Sequence, residues 1–175
     1  MTQRTRQGLW FAVLALVLAM PAAARAQETV IFVRHAERAD GGAGARTGAM
    51  SAAPADPLLS AAGQARAQKL ATVLRDANIK AIYATEFHRT QDTAKPLASK
   101  LRLDVQAIPA RDTAALVVSI KAAHAKDVVL VVGHSNTLPD AIKAFGGPAV
   151  TIGDDEYDAI FVLNPVTGTL TLIRY

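Results

Sequence analysis

Residues 128–132 read VVLVV, five apolar side chains in succession. A strand with one face in water alternates polar and apolar residues. An unbroken run of mostly β-branched residues therefore asks for cover on both faces. In a chain of 175 residues that cover comes from helices packed above and below one sheet, within one ordinary domain. The run TVIFV at 29–33 makes the same demand. Two doubly covered strands and intervening helical patterns point to parallel pairing, because parallel neighbours need a crossover helix.

The segments between these runs supply the helices. Ser60 is a good N-cap, and the stretch after it places Leu70, Val73 and Leu74 on one helical face. Residues 81–83 form a short strand. Residues 89–101 read as a helix that Pro96 bends or opens. Residues 103–108 read as a strand and 113–123 as a helix with Leu116, Val117 and Ile120 inward. A helix over 137–145 is stopped by Gly146-Gly147-Pro148. Residues 159–163 and 169–173 flank NPVTG, a turn, and form a terminal hairpin. The expected fold is α/β: a three-layer αβα arrangement with a mostly parallel sheet, helices on both faces and a C-terminal antiparallel hairpin. Residues 38–57, rich in Gly, Ala and Pro without period, read as a long loop.

The first 26 residues read as a secretory leader rather than as part of the domain, which is expected over 27–175. Arg4 and Arg6 precede an apolar run at 9–20, and Pro21 precedes the small-x-small site Ala24-Arg25-Ala26. The run is short against the roughly 20 residues a membrane span needs. The expectation is an exported protein, periplasmic or secreted, with no stable membrane anchor once the leader is removed. Taking away the three leader arginines leaves 16 Lys+Arg against 15 Asp+Glu, so the basic balance is mostly leader and gives no nucleic-acid footprint. There is no cysteine, which excludes a disulfide framework and any Cys-ligated metal.

In open α/β sheets, ligands bind beyond the carboxyl ends of the strands. Three segments carry polar residues there: VIFVRH ends in Arg34-His35, VVLVVGHSN ends in Gly133-His134, and IYATEFHRT leads into a helix at Arg89. Neighbouring strands would gather His35, His134, Arg34 and Arg89 at one rim. Arginine's planar fork matches phosphate oxygens and stays charged at every working pH. A neutral imidazole can attack phosphorus and carry the phosphoryl group, while the other groups hold the equatorial oxygens. Positive surroundings keep the nucleophile deprotonated. This chemistry needs no metal and no cofactor.

RHAE at 34–37, YATEFHRTQDTA at 83–94 and VVGHSNT at 131–137 resemble the signature segments of the histidine phosphatase, or phosphoglycerate mutase-like, superfamily. LLSAAGQARAQKLA at 58–71 resembles the helix after its first loop. The resemblance implies that His35 is the phosphorylated nucleophile and that Arg34, Arg89 and His134 bind the phosphoryl group. Ser135 and Asn136 follow at a helix start, where backbone N–H groups favour an anion, and Ser135 joins the candidate substrate-binding residues. The family's general acid varies in position. Asp112, in the segment after the second arginine, is favoured over Glu37, two residues past the nucleophile; Asp140 is a further carboxylate nearby. The implied activity is hydrolysis of a phosphomonoester or phosphohistidine, on a small phosphorylated substrate or a phosphoprotein. The alternatives are a mutase-type phosphotransferase and a phosphate-binding protein without turnover.

Other polar residues have plainer readings. His88 is an exposed helix-start residue, and His124 suits a helix C-terminus. GDDEYD at 153–158 lacks the spacing of a Ca²⁺ loop and reads as a solvated turn. GHSNT at 133–137 has Thr137 where a serine nucleophile elbow needs Gly.

Overall fold

The computed structural model describes residues 29–40 and 56–175. The expected leader, and all of the 38–57 loop except its ends, lie outside the described residues. The elements follow in the order β1 (Thr29–Arg34), α1 (Ala61–Val73), β2 (Ile79–Thr85), α2 (His88–Leu101), β3 (Val105–Ile108), α3 (Thr113–Ala123), β4 (Val128–Gly133), α4 (Leu138–Ala144), β5 (Ala159–Asn164) and β6 (Thr169–Arg174). They form one six-stranded sheet in the order β3-β2-β4-β1-β5-β6. The pairs β3–β2, β2–β4 and β4–β1 are parallel, and β5 and β6 are antiparallel. This is the expected αβα fold with its terminal hairpin.

Burial follows the pleat. Val30, Phe32, Tyr83, Val129, Val131 and Phe161 face α3 and α4. Their strand neighbours Ile31, Val33, Ile82, Leu130, Val132 and Ile160 face α1 and α2. Successive side chains of a strand point to opposite faces, so VVLVV fills both layers and no residue in it can be polar. Ser60 caps α1 as expected, accepting from Gly63 N at 3.1 Å. Val73 departs from expectation: Leu70 and Leu74 are buried, but Val73 is 46% exposed because it lies past the edge of the packed stripe. On α3, Leu116 and Ile120 are buried and Val117 is only half-buried. Strand β2 is longer than its apolar signal, since Ile79 pairs with Val128 and Thr85 with Ile108.

Pro96 lies inside α2, which continues to Leu101. At Gly63 an added Cβ would sit 2.2 Å from the Glu37 carbonyl oxygen. Helix α1 therefore packs directly on the backbone that follows β1, and this contact fixes the chain immediately after His35. Helix α4 ends at Gly146, whose φ of 87° is the left-handed conformation that glycine adopts without strain. Among the described residues no helix is long and apolar enough to cross a membrane.

Candidate active site

Parallel register sets the site. Arg34 pairs with Gly133, so His35 and His134 leave adjacent strands at the same level. The bond from His35 N to Gly133 O, at 2.9 Å, extends that ladder by one step. The two rings meet edge to face, with centroids 5.2 Å apart. Strand β2 lies on the other side of β4, with Ala84 opposite Val132, and so delivers Thr85 beside Gly133 and Arg89 just beyond. The structure thus brings together the four residues that the sequence placed at strand ends. All four are nearly buried: Arg34 is 7% exposed, His35 4%, Arg89 9% and His134 7%.

His35 is held at both ends of its backbone. The Ala36 N–H donates to Thr93 Oγ1 (2.9 Å), and the Thr93 hydroxyl donates to the Arg89 carbonyl (2.7 Å), so α2 pins the chain that follows His35. The ring Nδ1 lies 2.8 Å from the Ala36 carbonyl oxygen. A carbonyl only accepts, so Nδ1 carries the proton and Nε2 keeps its lone pair. Burial pushes the pKa of His35 down from 6.5 to about 3, with Arg34, Arg89 and Arg38 adding to the fall and the Ala36 bond opposing it. Burial likewise lowers His134 to about 3, helped by His35 and the same three arginines. Both imidazoles are neutral near neutral pH.

The arginines are clamped by side chains remote in sequence. The Arg34 guanidinium stacks on the Tyr157 ring at 4.2 Å and donates to the Gly153 carbonyl at 2.8 Å. Arg89 stacks on Phe87 at 4.2 Å and pairs with Asp56 at 3.3 Å. Phe87 also packs its edge on His134, with centroids 5.3 Å apart. In each arginine the buried Nε–H has no hydrogen-bond partner among the described residues. A buried guanidinium is ordinarily paired, so two such donors beside two neutral imidazoles make a site shaped for an oxyanion.

The carboxylates divide. Arg66 grips Glu37 in a fork, with Nε at 2.8 and 2.9 Å and Nη2 at 2.7 Å. Although partial burial acts to raise it, the Arg66 hydrogen bonds and charge hold Glu37 below the usual carboxylate range. An acid held ionised is a poor proton donor. Asp112 caps α3, accepting from Ala115 N at 2.8 Å through Oδ1. It also lines a small cleft with Thr85, Ile108, Leu116, Gly133 and Leu138, whose walls include neither imidazole and neither arginine of the site. Asp140 is exposed in the first turn of α4. Ser135 donates its hydroxyl to Asp154 at 3.0 Å. The helix expected to begin beside it begins at Leu138, after a turn closed on the His134 carbonyl.

The 153–158 segment turns at the exposed Asp154 and Asp155, as its composition suggests, but it also packs on the site. It supplies the carbonyl and the ring that hold Arg34, and Tyr157 lies 6.2 Å from the His35 ring. Three of its four acids are engaged: Glu156 and Asp158 with Arg174, and Asp154 with Ser135. Among the described residues no cluster of metal-ligating side chains forms there or elsewhere. His88 is exposed as expected, and His124 caps α3, paired with Asp127 at 2.9 Å. Residues the sequence reading missed are Tyr157, Phe87, Asp56, Thr85, Thr93 and Arg38. For Arg38 a signal existed, four positions from Arg34 in RHAER; the others carry no local pattern.

The sheet order and the paired imidazoles and arginines at its carboxyl rim define an αβα domain with a basic, nearly buried site. The family model described as histidine phosphatase superfamily (branch 1) matches residues 30–112, a span holding Arg34, His35, Arg89 and Asp112. His134 lies beyond it. No curated protein sequence matches the chain. Among solved structures, the phosphoserine phosphatase of Entamoeba histolytica in complex with 3-phosphoglyceric acid is 16% identical, with a TM-score of 0.61 over 83% of this chain and 94% of its own. A mycobacterial glucosyl-3-phosphoglycerate phosphatase complexed with VO3 is 17% identical, with a TM-score of 0.63 over 84% and 98%. The protein histidine phosphatase SixA complexed with tungstate is 19% identical, with a TM-score of 0.60 over 83% and 94%. At these identities the likeness is one of fold. The family likeness rests on the matched span alone, residues 30–112.

Proposed function

We propose that the chain is a phosphohydrolase that works through a phosphohistidine on His35. The observation that carries this reading is the pair of neutral imidazoles 5.2 Å apart, flanked by the Nε–H groups of two buried arginines, donors that have no hydrogen-bond partner among the described residues. The His35 Nε2 lone pair attacks phosphorus as the ester P–O bond breaks, and the leaving oxygen takes a proton. Arg34, Arg89 and His134 hold the equatorial oxygens, where transition-state charge is spread. Water then attacks phosphorus, the P–N bond breaks, and Nε2 recovers its lone pair. Asp112 is the proton donor this reading favours: it lines the cleft beside Thr85, and its capping bond leaves the second carboxyl oxygen available. Glu37 is disfavoured because Arg66 holds it ionised.

The test is turnover of p-nitrophenyl phosphate in EDTA by the wild type and His35→Ala. Turnover that disappears in the variant is expected. A phosphoryl adduct stable to base and labile to acid should accumulate when His134 is replaced by Ala. Label recovered on Ser135 would overturn the assignment of roles. Absence of turnover on any monoester, with phosphate still raising the thermal midpoint, would mark a binding protein instead.

A further inference from the structure

We propose that Thr85 and Thr90 form a one-way hydroxyl relay that fixes His134 as its Nε2–H tautomer. The relay deepens the phosphohydrolase reading and depends on it for its catalytic meaning; the tautomer itself stands on the geometry alone.

The direction follows from counting protons. Thr90 Oγ1 lies 2.7 Å from the Phe87 carbonyl oxygen and 3.1 Å from that of Thr85. The Phe87 carbonyl, the nearer acceptor, takes the single hydroxyl proton of Thr90 in this relay, since a carbonyl oxygen only accepts. Thr85 Oγ1 lies 2.8 Å from Thr90 Oγ1. With no proton left on Thr90, Thr85 must donate in that pair. Thr85 Oγ1 also lies 2.9 Å from His134 Nε2. Thr85 has then used its own proton, so the His134 Nε2–H donates to it. Thr90 is fully buried and Thr85 is 8% exposed, so bulk water does not compete for these bonds.

His35 is set the opposite way, with its proton on Nδ1 facing the Ala36 carbonyl. The two neighbouring rings therefore carry protons on opposite nitrogens. His35 presents the Nε2 lone pair that attacks phosphorus. His134 keeps Nδ1 as its one exchangeable nitrogen. When a phosphoryl dianion arrives, that atom takes a proton and donates it in a hydrogen bond, while Thr85 continues to accept from Nε2. Thr85 and Thr90 are positioning residues acting through His134; neither is assigned contact with substrate.

The experiment is ¹⁵N NMR of the imidazole nitrogens in the full chain at neutral pH, joined to kinetics with p-nitrophenyl phosphate. In the wild type, Nε2 of His134 and Nδ1 of His35 are expected to show pyrrole-type shifts, and their ring partners pyridine-type shifts. Thr90→Val keeps volume but removes the acceptor for the Thr85 proton. That proton can then turn to His134, and a population with Nδ1 protonated should appear. Thr85→Val should lower kcat about 10- to 100-fold, the scale seen when a functional imidazole loses its orienting partner. Thr85→Ser should restore both the rate and the wild-type ring pattern. A wild-type His134 protonated on Nδ1, or a Thr90→Val protein with an unchanged His134 pattern, would overturn the relay. A slow Thr85→Val protein with unaltered ring shifts would reduce Thr85 to packing and overturn it too. The expected tautomers in a protein without turnover would keep the relay and sink the phosphohydrolase reading instead.

Discussion

Acidification is expected to destabilise this fold through its two buried imidazoles. In the unfolded chain each histidine protonates near 6.5, whereas in the folded protein both are held to about 3. Between those values the unfolded state binds more protons, so stability falls as pH falls. The contribution is fully present above the unfolded value and is lost as pH drops from there toward about 3. At about pH 5 the unfolded chain gains roughly 2 kcal/mol per histidine over its neutral form, hence about 4 kcal/mol for the pair. That is a large part of a typical domain's margin of about 5–15 kcal/mol. The assay is urea unfolding followed by far-UV circular dichroism at about pH 8 and about pH 5, in the wild type and in His35→Gln/His134→Gln. The double variant should lose about 4 kcal/mol less over that range. Carboxylates such as Glu37 contribute equally to both proteins and cancel. Excess inorganic phosphate should restore most of the lost stability in the wild type alone, because it supports the imidazolium forms. Equal pH dependence in the two proteins would refute the reasoning, since the folded imidazoles would then titrate as they do in water.

Three further outcomes follow from the contacts. Gly63→Ala drives a Cβ against the Glu37 carbonyl oxygen at 2.2 Å; a loss of about 1–3 kcal/mol is expected, read as a lower urea midpoint at unchanged slope. Asp112→Asn preserves the α3 cap, since Asn caps as well as Asp. It should therefore slow an alkyl phosphate by roughly 10²–10⁴-fold while slowing p-nitrophenyl phosphate far less. Glu37→Gln should leave both rates within a few-fold, and the reverse pattern would move the acid role to Glu37. Tyr157→Ala removes the stack on Arg34 at 4.2 Å, so kcat/KM should fall about tenfold, measured against a Tyr157→Phe protein that retains the ring.

Much of the framework was legible because it is local. The doubly buried runs at 29–33 and 128–132, the Ser60 cap, the Gly146 stop and the NPVTG turn each state their own conformation. Arg34, His35 and His134 were legible for the same reason, each standing where an apolar run ends, and Arg89 opens the helix that follows another. Val73 shows the limit: its spacing fits the apolar stripe, but only the position of the neighbouring helix decides where that stripe stops. Tyr157 lies in a segment whose acidic composition disguises its packing on Arg34. Asp56 and Thr85 are short polar residues with no period to betray a partner far along the chain.

By itself the sequence determined the α/β class, the presence of strands covered on both faces, and the chemical types available at their ends. Tertiary structure alone decided that β4 lies between β2 and β1 with Arg34 level with Gly133, which is what sets His35 against His134. It also decided which carboxylate is held ionised and which lines a cleft, and it set the His35 Nδ1 proton against the Ala36 carbonyl. The physical reason is range. Backbone propensity and side-chain period act over a few residues, whereas pKa and tautomer depend on burial and on partners that folding brings from distant parts of the chain.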